Sequence, residues 1–431
     1  MHRAAVSTAL ALRKRGKAGL ILLTLALFAT EHYVHYGMAL LALGGVVDVL
    51  RHPRDALTWP GPLLASLFML IWLPMALACI HAVAPAHSLH TVLPYLLLLP
   101  ASYYAMRCCA DDEVLQMVTC GAAVLVLFAA VDACIQLLWQ RDLLGYPLKR
   151  QMAMGVFYPQ QRLGLFLGVF GPLCLDVVLA RLRNPYLRVA VLVPLLVAIA
   201  LSLKRAAWLM LIVGLLVYLR LWRAERGPLP RLRWRYGLAL VVLALCLLLT
   251  NPAFKARLVE SAGLFSANFA EVDRASGYRL SLWRTGFAMV RAHPLLGIGP
   301  RGYRHVYRQY APADDFWVAR TGQGQTHPHQ LLLEVAVETG LVGVFGFASA
   351  YGLMLASLRR KTRHGRPAVW LLCAVVAWLP VNAHLAFYAA YWSTLVWLLL
   401  GIGLGALASP DRLVGPAIAQ TAARIDTRDV S

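Results

Sequence analysis

The polar run from Asn251 to Gln330 carries most of the side chains here whose types and spacing suit chemistry on a water-soluble group. It closes on Thr326-His327-Pro328-His329-Gln330, where a long apolar segment resumes. Proline is favoured in a first helical turn, because its missing N–H would be unpaired there anyway. Pro328 therefore places His329 at the amino end of the helix that follows. Unpaired N–H groups at such an end favour negative charge and disfavour imidazolium, so a neutral imidazole is expected. A neutral imidazole at a water–lipid boundary can accept a proton, which makes His329 the leading candidate base. His327, two residues away, and His293 are its rivals; an interfacial histidine with a structural hydrogen bond is the plainer alternative.

The same run holds ten Lys and Arg residues, Arg279 and Arg284 among them, against five acids. Guanidinium forks match phosphate geometry, so the excess suits an anionic substrate. A solvated basic surface resting on anionic headgroups is the simpler account. Two shorter connectors carry further candidates. Ser202-Leu203-Lys204-Arg205 reads as a tight turn between apolar spans, and Lys149, Arg150 and Arg162 flank Gly155-Val156-Phe157-Tyr158-Pro159-Gln160-Gln161. Their charges could simply snorkel to the interface. Glu271-Val272-Asp273 is the nearest approach to a metal-ligand pair or an alternative base, against a solvated loop.

The elements that position these groups follow from periodicity. Tyr278 to His293 reads as an amphipathic surface helix with Leu280, Trp283, Phe287 and Val290 on its apolar stripe and Arg284 and Arg291 to one side. Pro294, Gly297, Gly299, Pro300 and Gly302 break it. Pro312 to Gln325 has no periodicity and reads as a mobile rim or lid.

Around this run the chain is apolar: 431 residues, 60% hydrophobic and only 14% charged. That composition excludes an ordinary soluble domain and indicates an all-α polytopic membrane protein. Runs of spanning length lie near 17–32, 37–50, 60–81, 91–106, 114–138, 163–180, 189–203, 206–221, 237–250, 331–357, 367–382 and 391–408, about twelve helices. The expected organisation is nine spans in 1–250, an external loop over 251–330, three spans in 331–408 and a tail over 409–431. Lys and Arg on the short connectors place both termini in the cytoplasm and the long loop outside. The basic start with Arg13, Lys14, Arg15 and Lys17 has no convincing cleavage site after it, so it reads as part of the first span. The net charge of +21 suits anionic lipids or substrates, and no aromatic-basic motif favours nucleic acid. The eight cysteines have no ligand spacing and read as small buried hydrophobes.

The pattern His329-Gln330, nine residues, Gly340, two residues, Gly343 resembles the signature of the bacterial O-antigen ligase and polymerase superfamily. Arg279 with Trp283 and His293-Pro294-Leu295-Leu296-Gly297-Ile298-Gly299 is similar to its second conserved block, and Ser202 to Arg205 to a third. In the ligase branch the resemblance implies an enzyme of the bacterial inner membrane with its active site facing the periplasm. Its fold would be similar to C-type glycosyltransferases. The implied activity is metal-independent, inverting transfer of O-antigen from undecaprenyl diphosphate to lipid A-core, with no cofactor. It also implies Arg205, Arg279 and His329 as catalytic residues. Arg162, Lys204, Arg284, His327, Lys149 and Arg150 are then candidate contacts to diphosphate or acceptor. The chain departs from the family pattern at Tyr158-Pro159-Gln160-Gln161, where relatives often have Asn-Pro-Asn, and at Lys204.

Fixed guanidinium charge can stabilise a departing diphosphate, and no Asp-x-Asp lies on an outward loop. An O-antigen polymerase and a protein O-oligosaccharyltransferase share the donor and the three blocks. A lipid-linked glycan transporter is the rival from another class. Against it, Asp48, Asp132 and Asp176 sit toward span ends, only Glu334 and Glu338 enter a span further, and no convincing repeat relates the two halves.

Overall fold

The computed structural model describes residues 2–30, 32–149, 151–226, 249–360, 368–381 and 385–408. Among the described residues, nine helices precede the long polar run: α1 (His2–Ala26), α2 (Val34–Arg51), α3 (Gly61–Ala78), α4 (Pro85–Tyr95), α5 (Leu98–Cys109), α6 (Asp112–Trp139), α7 (Leu163–Arg181), α8 (Pro185–Leu201) and α9 (Arg205–Arg226). Five short ones lie within it: α10 (Pro252–Ala262), α11 (Phe269–Ser276), α12 (Arg279–Ala292), α13 (Tyr303–Tyr310) and α14 (Phe316–Thr321). Then come α15 (Leu331–Leu358), α16 (Val369–Ala377) and α17 (Ala390–Leu407).

Among the described residues, seven helices are long and apolar enough to cross a membrane: α2, α3 with its extension to His81, α6, α7, α9 through Ala224, α15 and α17. The expected span over 91–106 is instead divided between α4 and α5, where Pro94 interrupts the apolar run. Among the described residues of the expected span at 367–382, the helix is the short α16. Most of the 237–250 span, and the tail, lie outside the described residues.

Helix α17 is buried on all sides, and 94% of its length lies inside the protein. A helix apolar all round belongs at a centre. Trp397 donates its indole N–H to Tyr95 Oη at 2.8 Å, and Trp392 donates to the Ala377 carbonyl at 3.2 Å. Gly401 and Gly405 allow α5 to lie directly against α17, since an added Cβ would stand 2.4 Å from the Ser102 carbonyl oxygen and 2.5 Å from that of Met106.

Polar contacts mark the two ends of the bundle. At one end Lys14 bridges Asp111 and Glu113 at 3.0 and 3.1 Å, and Arg107 bridges Asp48 and Asp55 at 3.1 and 2.7 Å. At the other, Tyr391 Oη donates to the Phe28 carbonyl at 2.8 Å, and the short helices of the polar run collect. Phe254 of α10 stands 5.6 Å, ring to ring, from Trp208 in the first helical turns of α9, so the chain returns to that end after α9.

Two features shape this end. Helix α12 buries Leu282, Thr285, Gly286 and Met289, while of the expected apolar stripe Trp283 and Val290 are half-buried against the same cluster and Phe287 is 55% exposed. Both faces carry apolar residues, so one can pack on the protein while the other is left for the membrane surface. The bare Cα of Gly286 lets Leu333 approach and decides the contact. Second, α15 breaks at Gly340 (φ 63°, ψ −161°). The freed groups are taken up by the loop after α12. Leu341 and Val342 donate N–H to the carbonyls of Pro294 and Leu295 at 2.8 and 3.2 Å. Ile298 and Gly299 donate to those of Val337 and Glu338 at 2.9 and 3.0 Å. A Cβ at residue 340 would meet the Leu295 oxygen at 2.2 Å in a backbone region left essentially to glycine. Gly340→Ala is therefore expected to destabilise the protein by at least about 3 kcal/mol, read as a lowered thermal midpoint in detergent.

Candidate active site

Four cations from three separate segments converge beside the α8–α9 turn. Ser202 Oγ donates to the Ile199 carbonyl at 2.6 Å, and Leu203 adopts φ 55°, which closes the turn tightly and presents Lys204 and Arg205. Lys204 Nζ donates to Gln161 Oε1, and Arg205 Nη2 donates to the Ala275 carbonyl at 2.6 Å. These two bonds attach the 149–162 loop and the end of α11 to the same turn.

Arg279 opens α12, and its position is set by Asp273 rather than by periodicity. The buried Asp273 carboxylate accepts the Leu280 N–H at 2.9 Å and the Ser281 hydroxyl at 2.7 Å. Ser276 Oγ accepts the Arg279 N–H at 3.0 Å, completing a cap for the exposed donors of that helix end. Tyr278 takes a left-handed conformation (φ 58°) and stacks on Phe316 at 3.5 Å. Asp273 is thus a cap, and Glu271 accepts from the Ser266 hydroxyl at 2.5 Å. The Glu271-Val272-Asp273 stretch forms no cluster, and among the described residues no group of three or more His, Cys, Asp or Glu side chains converges.

The cations perturb one another. Burial, then the charges of Arg257 and Arg279, push Lys204 down to about 8. Burial, then Arg205 and Arg257, push Arg279 down to about 10. Arg257 pairs with Glu260 at 2.5 Å, yet its Nε is buried without a hydrogen-bond partner, as is Arg205 Nη1. Guanidinium nitrogens only donate, so these buried N–H groups call for an acceptor. Like charges held together away from water make the site favour an anion.

Arg257 was not singled out from the sequence. It was one of ten basic residues in the run, and only the docking of Phe254 against Trp208 brings it to the turn.

The histidine segment sits against α12. Trp283, one turn after Arg279, donates its indole N–H to the Pro328 carbonyl at 3.2 Å. Helix α15 starts at Leu331, so Pro328 is not in its first turn. Gln330 is the cap, accepting the Leu333 N–H and donating to the Pro380 carbonyl at 3.0 Å. His329 precedes that cap with a left-handed backbone, φ 53°. Its side chain is set by this turn, one residue earlier than the expected helical position. The His327 and His329 rings lie 3.9 Å apart, and His327 Nδ1 is 3.0 Å from Thr326 Oγ1. His293 closes the far end of α12, about 20 Å from Arg279 at about 1.5 Å per residue, and bonds Tyr310 Oη at 2.9 Å.

The remaining candidates are less central. Arg162 lies over the Tyr391 ring at 4.1 Å, next in sequence to Gln161. Arg284 is exposed and stands 4.0 Å from Asp314. Lys149 is exposed on its loop, and Arg150 lies outside the described residues. The 312–325 stretch is pinned rather than free. Asp315 caps α14 and accepts from Tyr307 Oη at 2.9 Å, and Trp317 donates to the Tyr278 carbonyl at 2.9 Å.

Residues 190–348 match the family model described as O-antigen ligase. No curated protein sequence matches the chain. The matched segment contains Lys204, Arg205, Arg257, Arg279 and His329, whereas Lys149 and Arg162 precede it. The seven spanning-length helices and this match support O-antigen ligase/polymerase-type glycosyl transfer in lipopolysaccharide biosynthesis. The chain is a multi-pass membrane protein whose residues 190–348 are similar to the O-antigen ligase family.

Proposed function

We propose that the protein is an O-antigen ligase. It transfers O-antigen from undecaprenyl diphosphate to lipid A-core at a periplasmic site of the inner membrane. The observation that carries this reading is the four-cation cluster with two unpartnered buried guanidinium nitrogens, held by α12 to the His329 turn. Arg205 and Arg279, joined by Arg257 and Lys204, hold the diphosphate and stabilise the charge that develops as it leaves. His329 removes the proton from the acceptor hydroxyl as its oxygen attacks the anomeric carbon in line, with inversion. The new glycosidic bond forms as the bond to the diphosphate oxygen breaks.

A cleft of about 430 Å³ between α1, α6 and the 144–160 loop supports a lipid-linked donor. Leu25, Ala29, Phe128, Ala129 and Phe157 line it, and Gln160 lies at its wall beside the Lys204 partner Gln161. An isoprenoid chain entering from the membrane would reach the cations along this path.

The break in α15 favours transport, since broken helices often mark transporter sites. Its backbone groups are already used by residues 294–299, which leaves none of those four for a passing ion.

The test is transfer by the purified protein, in lipid discs without a gradient, from a synthetic undecaprenyl-diphosphate glycan. Formation of glycan-bearing lipid A-core supports ligation. Elongation of the lipid-linked glycan or modification of a Ser/Thr peptide, with lipid A-core untouched, would replace it by the polymerase or protein-transferase reading. Consumption of no donor at all would sink the reading as an enzyme. A pH series adds a check. Lys204, depressed to about 8, carries its charge below that pH and loses it above. The donor KM is accordingly expected to rise between about pH 7.5 and about pH 9, and this limb should flatten in Lys204→Gln.

A further inference from the structure

A second basic site lies at the same end of the bundle, at the opposite end of α12 from Arg279. The Val83 N–H donates to the Ile298 carbonyl at 3.0 Å, and Ser88 Oγ donates to that of Pro300 at 3.0 Å. These bonds dock the loop after α12 onto the start of α4. They bring the His87 and His305 rings within 5.1 Å of each other. Arg301 and Arg304 stand between these histidines and α15, where Arg301 donates its backbone N–H to Glu338 Oε2 at 2.6 Å.

The backing of this site is built. Glu334 and Glu338, one turn apart on α15, are 1% and 0% exposed, and each keeps one oxygen, Oε1, without a hydrogen-bond partner. Arg301 Nη1 and Arg304 Nε are likewise buried and unpartnered. Both carboxylates act on both arginines through their charge. Two enclosed carboxyl groups face two guanidiniums and hold them half-buried, as outer-shell groups hold the ligands of a binding site. The remaining guanidinium donors can be satisfied from the open side only by an acceptor. With His87 and His305 beside them, the donor set suits a phosphate monoester better than a single hydroxyl.

Glycosyl transfer needs a second substrate, and the Lys204–Arg279 cluster accounts for the first. We propose that Arg301, Arg304, His87 and His305 bind a phosphate monoester carried by the acceptor glycolipid. This rests on the glycosyl-transfer reading above. The site lies about 20 Å along α12 from the donor cluster at about 1.5 Å per residue, so it holds the acceptor by a group remote from the reacting hydroxyl. Binding energy from such remote groups positions the reacting centre.

The experiment uses the full-length protein in discs of zwitterionic lipid, with lipid A-core that is either phosphorylated or phosphatase-treated. Arg304→Gln and the double variant His87→Gln/His305→Gln are each expected to raise the KM for phosphorylated acceptor about tenfold, with turnover at saturating acceptor retained. Wild type should show a similarly raised KM with the treated acceptor. Equal KM values for the two acceptors in wild type would overturn the proposal. So would a loss confined to turnover, or a shift that follows replacement of the disc lipid by an anionic one rather than dephosphorylation. If wild type transfers nothing, the glycosyl-transfer reading is what fails. Direct binding of the two acceptors without donor then still decides this site.

Discussion

Arg279→Lys is expected to reduce glycan transfer by at least about 100-fold, the scale seen when one donor to a developing oxyanion is removed. Arg279 sits at the head of a helix whose start is fixed by Asp273, Ser276 and Ser281, so its guanidinium is aimed by a rigid support. An ammonium retains the charge but not the planar fork, and it cannot span two phosphate oxygens in the same way. Arg205→Lys is expected to behave similarly, with the added loss of the bond to the Ala275 carbonyl. Single-turnover transfer with saturating donor measures the effect on chemistry, and donor titration separates binding. Full transfer by both lysine variants would count against a diphosphate clamp.

The second large effect is that of His329→Ala, for which a loss of about 10²–10⁴-fold is expected from removal of a general base. Complementation in a strain lacking its O-antigen ligase gives the first reading, with wild type restoring long O-antigen on lipid A-core and the variant restoring none. Rate measurements against pH give the sharper one, because loss of a base removes the ascending limb of the profile rather than lowering it evenly. His327→Ala tests the neighbour 3.9 Å away. If His327→Ala abolishes transfer and His329→Ala does not, the base has been assigned to the wrong ring. His293, bonded to Tyr310 at the far end of α12, is expected to have no such signature.

How far these residues could be read from the chain itself differs from one to the next. Apolar runs announced the long helices, because in lipid a backbone has to satisfy its hydrogen bonds internally and little else suits such a sequence. The junction of α4 and α5 was less legible, since an apolar run gives little sign of where it will turn. Lys204, Arg205, Arg279 and His329 stood out by residue type and by likeness to a known pattern. Arg257 did not, because its place depends on a long-range aromatic contact between Phe254 and Trp208. The bounds of helix α12 are legible within a residue at either end, but not which of its residues pack on the protein. Leu280 and Phe287 are as apolar as Leu282 and Met289, and only the partner helix distinguishes them. The turn at His329 was misjudged for a similar reason. A proline announces a helix nearby, whereas the cap is set by Gln330 reaching Pro380, fifty residues on.

The interruption at Gly340 changes which part of the protein α15 belongs to mechanically. Its first half, Leu331 to Thr339, shares backbone hydrogen bonds with residues 298–299, while the N–H groups just beyond the break are tied to residues 294–295. Opening that first half therefore requires releasing the loop as well, which joins the two into one cooperative unit of local unfolding. Amide hydrogen exchange should register them together, with slow protection lost in both segments at one rate. The turn that carries His329 is anchored to that unit, and its order is inherited from the loop rather than from the lipid-spanning remainder of the helix.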